Sequence, residues 1–348
     1  MLEISNYFKK AIEQKASDLH LVEGSIPSLR VAGNLVKVDD KPIRKGELKE
    51  GVFKYLDNHE QERFERKRDI DVSLTFFEIS FRVNIHYQEG RVGLAARLVP
   101  DKVPSPQEIN LDEMLYKLTH LRDGLILVTG PAGVGKSTTL AVMLDIINQE
   151  RASHIITIED PIEYTFQDKK SIVEQRQLGR DTHSFSSALK YVLRQDPNVI
   201  MVGEMRDAET VAAVLNAAKT GHLVLSTLHT STAAETIERI IDFYPAEYQS
   251  MIAHQLASLL RAVVSQQLLP KIGGGQVCAR EILINNNAIA NIIRSMQMEQ
   301  INSFMQTSKS QGMITMNKYV EFLYRKGIIS KETYDNRKRD IDNKSVYY

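Results

Sequence analysis

The chain has 348 residues, 44 Lys+Arg against 44 Asp+Glu, and one cysteine. That length fits about two domains, and the zero net charge gives no bulk signal for nucleic-acid binding. Cys278 alone excludes an intramolecular disulfide framework and a zinc site built on several cysteines, and it reads as a small buried apolar residue. No apolar run is long enough to span a bilayer and no signal-peptide h-region opens the chain. A cytoplasmic location is therefore expected, with any membrane contact made through partners.

Residues 1–99 read as one unit. A short amphipathic helix (Leu2, Ile4, Tyr7, Phe8, Ile12) is followed by strand-like stretches at Ser28–Val31, Asp71–Phe76 and Ile79–His86. "VPDKVPSPQEINL" carries Pro100, Pro104 and Pro106, a density that breaks helix and sheet and marks a linker over 100–110. A second unit, 111–272, alternates apolar strands with helical patterns. The strands are expected at 125–129, 154–158, 198–202 and 222–228. That alternation predicts an α/β fold with a mostly parallel sheet. Beyond Gly273–Gly275, a flexible turn, the chain is expected to be mostly helical over 273–348.

"GPAGVGKSTT", Gly130–Thr139, matches G-x-x-x-x-G-K-[ST] at every fixed position. An apolar run, Leu125–Val128, precedes it and a helical pattern (Leu140, Val142, Met143, Ile146, Ile147) follows. Strand, glycine loop and helix form the context in which this motif binds nucleotide phosphates. Gly130, Gly133 and Gly135 let backbone N–H groups close around phosphate oxygens, with Pro131, Ala132 and Val134 completing the loop. Lys136 would reach the β- and γ-phosphates of ATP, and the Ser137 hydroxyl would ligate Mg²⁺. Thr138 continues the first helical turn.

Further acids follow two predicted strands, where ligands of such folds bind. "VIMVGE" places Glu204 as a Mg²⁺-holding carboxylate. "IEDPIE" offers Glu159, Asp160 and Glu163 for orienting or deprotonating an attacking water. Glu163 is the candidate, although the residues alone do not separate the three. His222 and His229 bracket one predicted strand. About 23 Å of strand between them argues against a metal pair, while a histidine at a strand end beside phosphates can meet the γ-phosphate. Arg82 in "FRVN" and Arg97 in "ARLVP" could stabilise γ-phosphate charge if delivered from another domain or subunit.

Taken together, these stretches resemble the secretion ATPase family of type IV pili and type II secretion, and the resemblance runs over nearly the entire chain. "KASDLHL" (15–21) is similar to its N-terminal signature and "GPAGVGKSTT" to its Walker A. "TIEDPIEY" (157–164) is similar to its Asp box, "VGEMRDAET" (202–210) to its Walker B and "TGHLVLSTLHT" (220–230) to its His box. "AIANIIR" (288–294) is similar to a C-terminal motif linked to pilus retraction. The resemblance implies a PAS-like N-terminal α+β domain, a RecA-like P-loop core with a helical C-terminal region, and a homohexamer. It implies Glu163 as catalytic carboxylate, Glu204 as Walker B acid, His229 near the γ-phosphate, and Arg82 and Arg97 as charge-neutralising arginines. The implied function is an ATP-hydrolysing motor for pilus retraction and twitching motility. It would act on an inner-membrane platform protein, with a second retraction ATPase as a further partner and no direct nucleic-acid binding. An accessory retraction, secretion or DNA-uptake ATPase is the alternative within the family, and a nucleotide-dependent regulatory module the alternative outside it. Extension and type II secretion members usually carry an extra N-terminal region and a four-cysteine motif, neither expected here. Ala132, Val134, Lys219 and Ala290 depart from the family pattern.

Overall fold

In the computed structural model, residues 2–31, 33–99 and 102–344 are described. Pro100 and Asp101 of the expected linker therefore lie outside the described residues. Two compact units emerge, Met1–Lys102 with Pro161–Thr165, and Val103–Asp160 with Phe166–Tyr348.

The first unit contains α1 (Ser5–Glu13), β1 (Asp18–Val22), β2 (Ser28–Val31), β3 (Asn34–Lys37), α2 (Glu47–Phe53), α3 (Asn58–Lys67), β4 (Asp69–Phe76), β5 (Ile79–Gln88) and β6 (Arg91–Leu98). Its strands form one antiparallel sheet in the order β3-β2-β1-β6-β5-β4. Period-two alternation places Leu19, Leu21, Phe81, Val83, Ile85 and Leu94 on the buried face, with every second side chain opposite. Phe8 of α1 stacks on Phe76 with centroids 4.0 Å apart, so the helix predicted from the first twelve residues is fixed by burial of its apolar stripe. Asp57 and Glu60 form a reciprocal capping box that starts α3.

The second unit contains α4 (Glu113–Leu118), β7 (Gly124–Thr129), α5 (Lys136–Glu150), β8 (His154–Glu159), β9 (Ile172–Gln177), α6 (Phe185–Val192), β10 (Val199–Val202), α7 (Ala208–Lys219) and β11 (Leu223–Leu228). It continues with α8 (Ala233–Asp242), α9 (Ala246–Leu259), β12 (Leu260–Pro270), β13 (Gln276–Ile284), α10 (Asn287–Arg294), α11 (Glu299–Thr307), α12 (Met316–Arg325) and α13 (Lys331–Lys344). The seven-stranded sheet runs β13-β12-β7-β11-β10-β8-β9. All its neighbours are parallel except β12 and β13. Each of β7, β10 and β11 is buried at every position, which is why they read as continuous apolar runs. Apolar layers cover both faces. Met143 and Ile147 of α5 pack against Ile126 and Val128 on one side, and α6 to α10 pack against Leu125 and Leu127 on the other. This is the α/β core expected, preceded by the α+β unit.

Two expectations change. Gly273, Gly274 and Gly275 all have positive φ and form the tip of the β12–β13 hairpin, so the chain continues into the core sheet rather than turning helical there. The strands β9, β12 and β13 escaped the sequence pattern. β9 is a half-exposed edge strand, and β12 and β13 carry polar residues such as Ser265, Gln266, Arg280 and Glu281 that face buried partners. Arg280 is fully buried and donates to the carbonyls of Asn110 (2.7 Å) and Ile109 (3.1 Å) and to Asp112 Oδ2 (2.9 Å). That latch fastens the segment before α4 to β13. Cys278, expected to be buried, is half-buried on β13. Burial pushes its thiol above the ordinary value.

Candidate nucleotide site

β7 ends at Thr129, residues 130–135 form a loop, and α5 begins at Lys136. A Cβ on Gly130 would stand 2.5 Å from the Gln266 carbonyl oxygen and 2.9 Å from Val134 Cγ2, so only glycine lets the loop leave the strand so close to β12. Gly135 has φ 86° and occupies the N-cap of α5. Pro131, Ala132 and Gly133 are exposed, Ser137 and Thr138 half-buried, and Lys136 buried. Lys136 Nζ donates to the carbonyls of Gly130 (2.7 Å) and Pro131 (2.9 Å), holding the ammonium within the loop.

The N-terminus of α5 suits an anion. No side chain caps it and no acid sits in its first turn. By contrast α6, α7, α8 and α10 are capped by Ser184, Asp207, Thr232 and Asn286. The backbone N–H groups at the start of α5, its dipole and Lys136 form the donor set a polyphosphate requires. Underneath, Gln266 Nε2 donates to Thr139 Oγ1 at 2.8 Å, and Thr129 and Ser265 hydroxyls lie 2.9 Å apart. These supports were not legible in the sequence, because their partners are more than one hundred residues away.

At the carboxyl ends of β10 and β11, Glu204 and His229 meet, with His229 Nε2 3.4 Å from Glu204 Oε2. Arg206 hydrogen-bonds the other Glu204 oxygen and reaches Asp160 Oδ2 at 3.3 Å. Burial opposes ionisation of Glu204, but Arg206 and then His229 outweigh it and hold the carboxyl below its ordinary value. Arg206 went unassigned in the sequence, although its place two residues beyond Glu204 was a usable signal. The three acids of "IEDPIE" separate. Glu159 is buried and accepts from Thr157 Oγ1 (2.7 Å) and Gln175 Nε2 (3.1 Å), and Asp160 pairs with Arg206. Glu163 is exposed and belongs to the segment grouped with the first unit.

In the first unit, Arg82 and Arg97 are direct cross-strand neighbours on β5 and β6. Both lie on the face opposite the core and both are exposed. Arg97 Nε donates to Asp18 Oδ1 at 2.8 Å. Like charges directly opposite are unfavourable in a sheet, and Asp18, the cross-strand neighbour of Arg97 on β1, offsets part of that repulsion. His222 sits at the other end of β11 from His229, with Nδ1 2.9 Å from the Ala217 carbonyl. It is a polar strand end. Lys219 is the last residue of α7, where a cation complements the helix dipole.

The fold and loop define a P-loop ATPase. The model for the type II/IV secretion system protein family matches residues 2–337. The chain is 42% identical to the "type IV pilus retractation ATPase PilT" of Pseudomonas aeruginosa, over 95% of this chain and 96% of that protein. It is 41% identical to a "twitching motility protein" of Neisseria gonorrhoeae, over 92% and 86% of the two chains. The crystal structure of "the pilus retraction motor PilT and bound ADP" superposes with a TM-score of 0.90 at 45% identity, covering 96% of each chain. The chain belongs to the type II/IV secretion system protein family.

Proposed function

We propose that this ATPase is a homohexameric motor that retracts a type IV pilus and so drives twitching motility, acting from the cytoplasm on an inner-membrane platform protein. The observation that carries the reading is the uncapped start of α5 with Lys136 folded into the loop, in a chain whose likeness to a pilus retraction motor is end to end. In this reading Gly130–Thr138 hold the phosphates, and Lys136 neutralises the β- and γ-phosphate oxygens. Ser137, and Glu204 through water, are the groups that would hold Mg²⁺. That ion, when bound, neutralises phosphate charge. Glu163 orients the attacking water and accepts its proton. His229 faces the γ-phosphate, and Arg82 and Arg97 meet the charge that grows there in the transition state.

Deleting the gene should stop twitching while surface pili accumulate. Complementation with Lys136→Ala should fail, because the purified variant folds but hydrolyses ATP only at background. Fewer pili in the deletion strain would reverse the assigned direction of the motor. Near-normal turnover by Lys136→Ala would place the chemistry elsewhere.

A further inference from the structure

Just below the phosphate loop, three neighbouring strands each place a buried polar side chain on the same face of the sheet. Thr129, Ser265 and Glu281 stand directly across from one another on β7, β12 and β13 and so project from one face. The next row on that face is Leu127, Val263 and Leu283, all fully buried.

Glu281 is the exceptional member. It is a buried carboxylate whose two oxygens accept backbone N–H groups from different helices. Ala233 N donates to Oε1 at 2.9 Å, and Met316 N donates to Oε2 at 3.3 Å. Ala233 is the first residue of α8 and Met316 the first of α12, so the positive ends of two helices converge on one carboxylate. Burial pushes its carboxyl above the ordinary value and the two N–H groups pull it back. A hydroxyl or amide cap satisfies one helix start at lower desolvation cost. A carboxylate offers two separately placed acceptors, and here each serves a different segment.

The segment held through Ala233 is the connection from β11 to α8, which opens with His229. Its other side is tied by Thr236. The Thr236 hydroxyl lies 2.7 Å from the Thr230 hydroxyl and 3.4 Å from that of Thr129, the residue before the phosphate loop. His229 thus leaves a strand end and enters a helix start fixed at two points.

We propose that Glu281, with Thr236 opposite, is a positioning residue for His229, clamping its connection between the phosphate-loop strand and the start of α12. The inference rests on the reading that His229 faces the nucleotide. It adds that the C-terminal helix α12 shares the carboxylate that sets where this histidine stands.

Glu281→Gln keeps the size but turns an NH₂ toward one of the two N–H donors. In the purified full chain, kcat should fall about tenfold with KM for ATP changed less than about twofold, and with circular dichroism unchanged. In a His229→Ala background the same substitution should cause less than about a twofold further loss, since both act through one group. An unchanged kcat in Glu281→Gln would overturn the proposal. So would a full tenfold loss on top of His229→Ala, which would make the two residues independent. Full turnover by His229→Ala alone would remove the reading of that histidine and the proposal with it. If Glu281→Gln does not fold, Thr236→Val cuts the other tie at nearly constant volume and carries the same comparison. Its loss should vanish in the His229→Ala background, and an additive loss overturns the clamp.

Discussion

At the residue scale, charge placement separates carboxylates that look alike in sequence. Glu204 is pinned by Arg206 and His229, whereas Glu163 stands exposed on Pro161–Thr165. Glu163→Gln should therefore retain ATP binding and lose turnover, by about two orders of magnitude for a lost general base. Binding measured by nucleotide titration, set beside a steady-state rate, checks this, and full activity would return the role to another group. For Glu204 the test is pH. Its folded value lies below the ordinary 4.5, so the fold favours the ionised form. The resulting stability is fully present above the ordinary value and is lost as pH falls through the lowered one. Arg206→Ala should thus destabilise the protein at neutral pH by no more than about 1 kcal/mol, given how exposed Arg206 is. The gap to the unsubstituted protein should close in acid, and a gap constant from pH 7 to pH 3 in denaturant titrations would contradict the pairing.

At the element scale, α10 shows one helix with two faces. Ile289, Ile292 and Ile293 are buried, while Asn291 and Arg294 are exposed. Asn286 caps its start through a bond to Ile289 N at 2.9 Å. Ala290 is buried in the core. Ile293→Ala should cost about 2–5 kcal/mol through lost burial and a cavity, read from denaturant unfolding. Asn291→Ala with Arg294→Ala should leave stability and ATPase near normal and reduce twitching if the exposed face transmits motion. Unchanged twitching would show that these side chains couple nothing. The apolar stripe of α10 was readable because helical burial repeats with the period of the helix itself. β12 and β13 were not readable, because their polar residues are satisfied by partners distant in sequence.

At the scale of the whole molecule, the hairpin around Gly273–Gly275 decides where the second unit ends. β13 pairs with β12 from Ala262 to Pro270, and Arg280 on it latches the segment at Ile109–Asp112. A chain cut after residue 272 loses that strand, leaves β12 as a bare edge and removes the partner of Asp112. Such a fragment should be insoluble or lack a cooperative thermal transition. A soluble, cooperatively unfolding fragment 1–272 would show that β13 is dispensable.

The sequence by itself determined the class of the protein and its central strands. A phosphate loop is built from residues contiguous in the chain, and its glycines, lysine and hydroxyl carry their chemistry wherever that loop sits between strand and helix. Buried parallel strands announce themselves by unbroken apolar runs. Only the tertiary structure decided how Arg206 reaches Asp160 as well as Glu204, that α5 opens without a side-chain cap where α6, α7, α8 and α10 carry one, and that Glu281 draws α8 and α12 to one carboxylate. The Arg206–Asp160 pair and the two Glu281 bonds close loops of tens of residues, and no local spacing encodes them. Their cause is the cost of leaving a buried charge or N–H unpaired, which is met only when the distant partner has been brought to it.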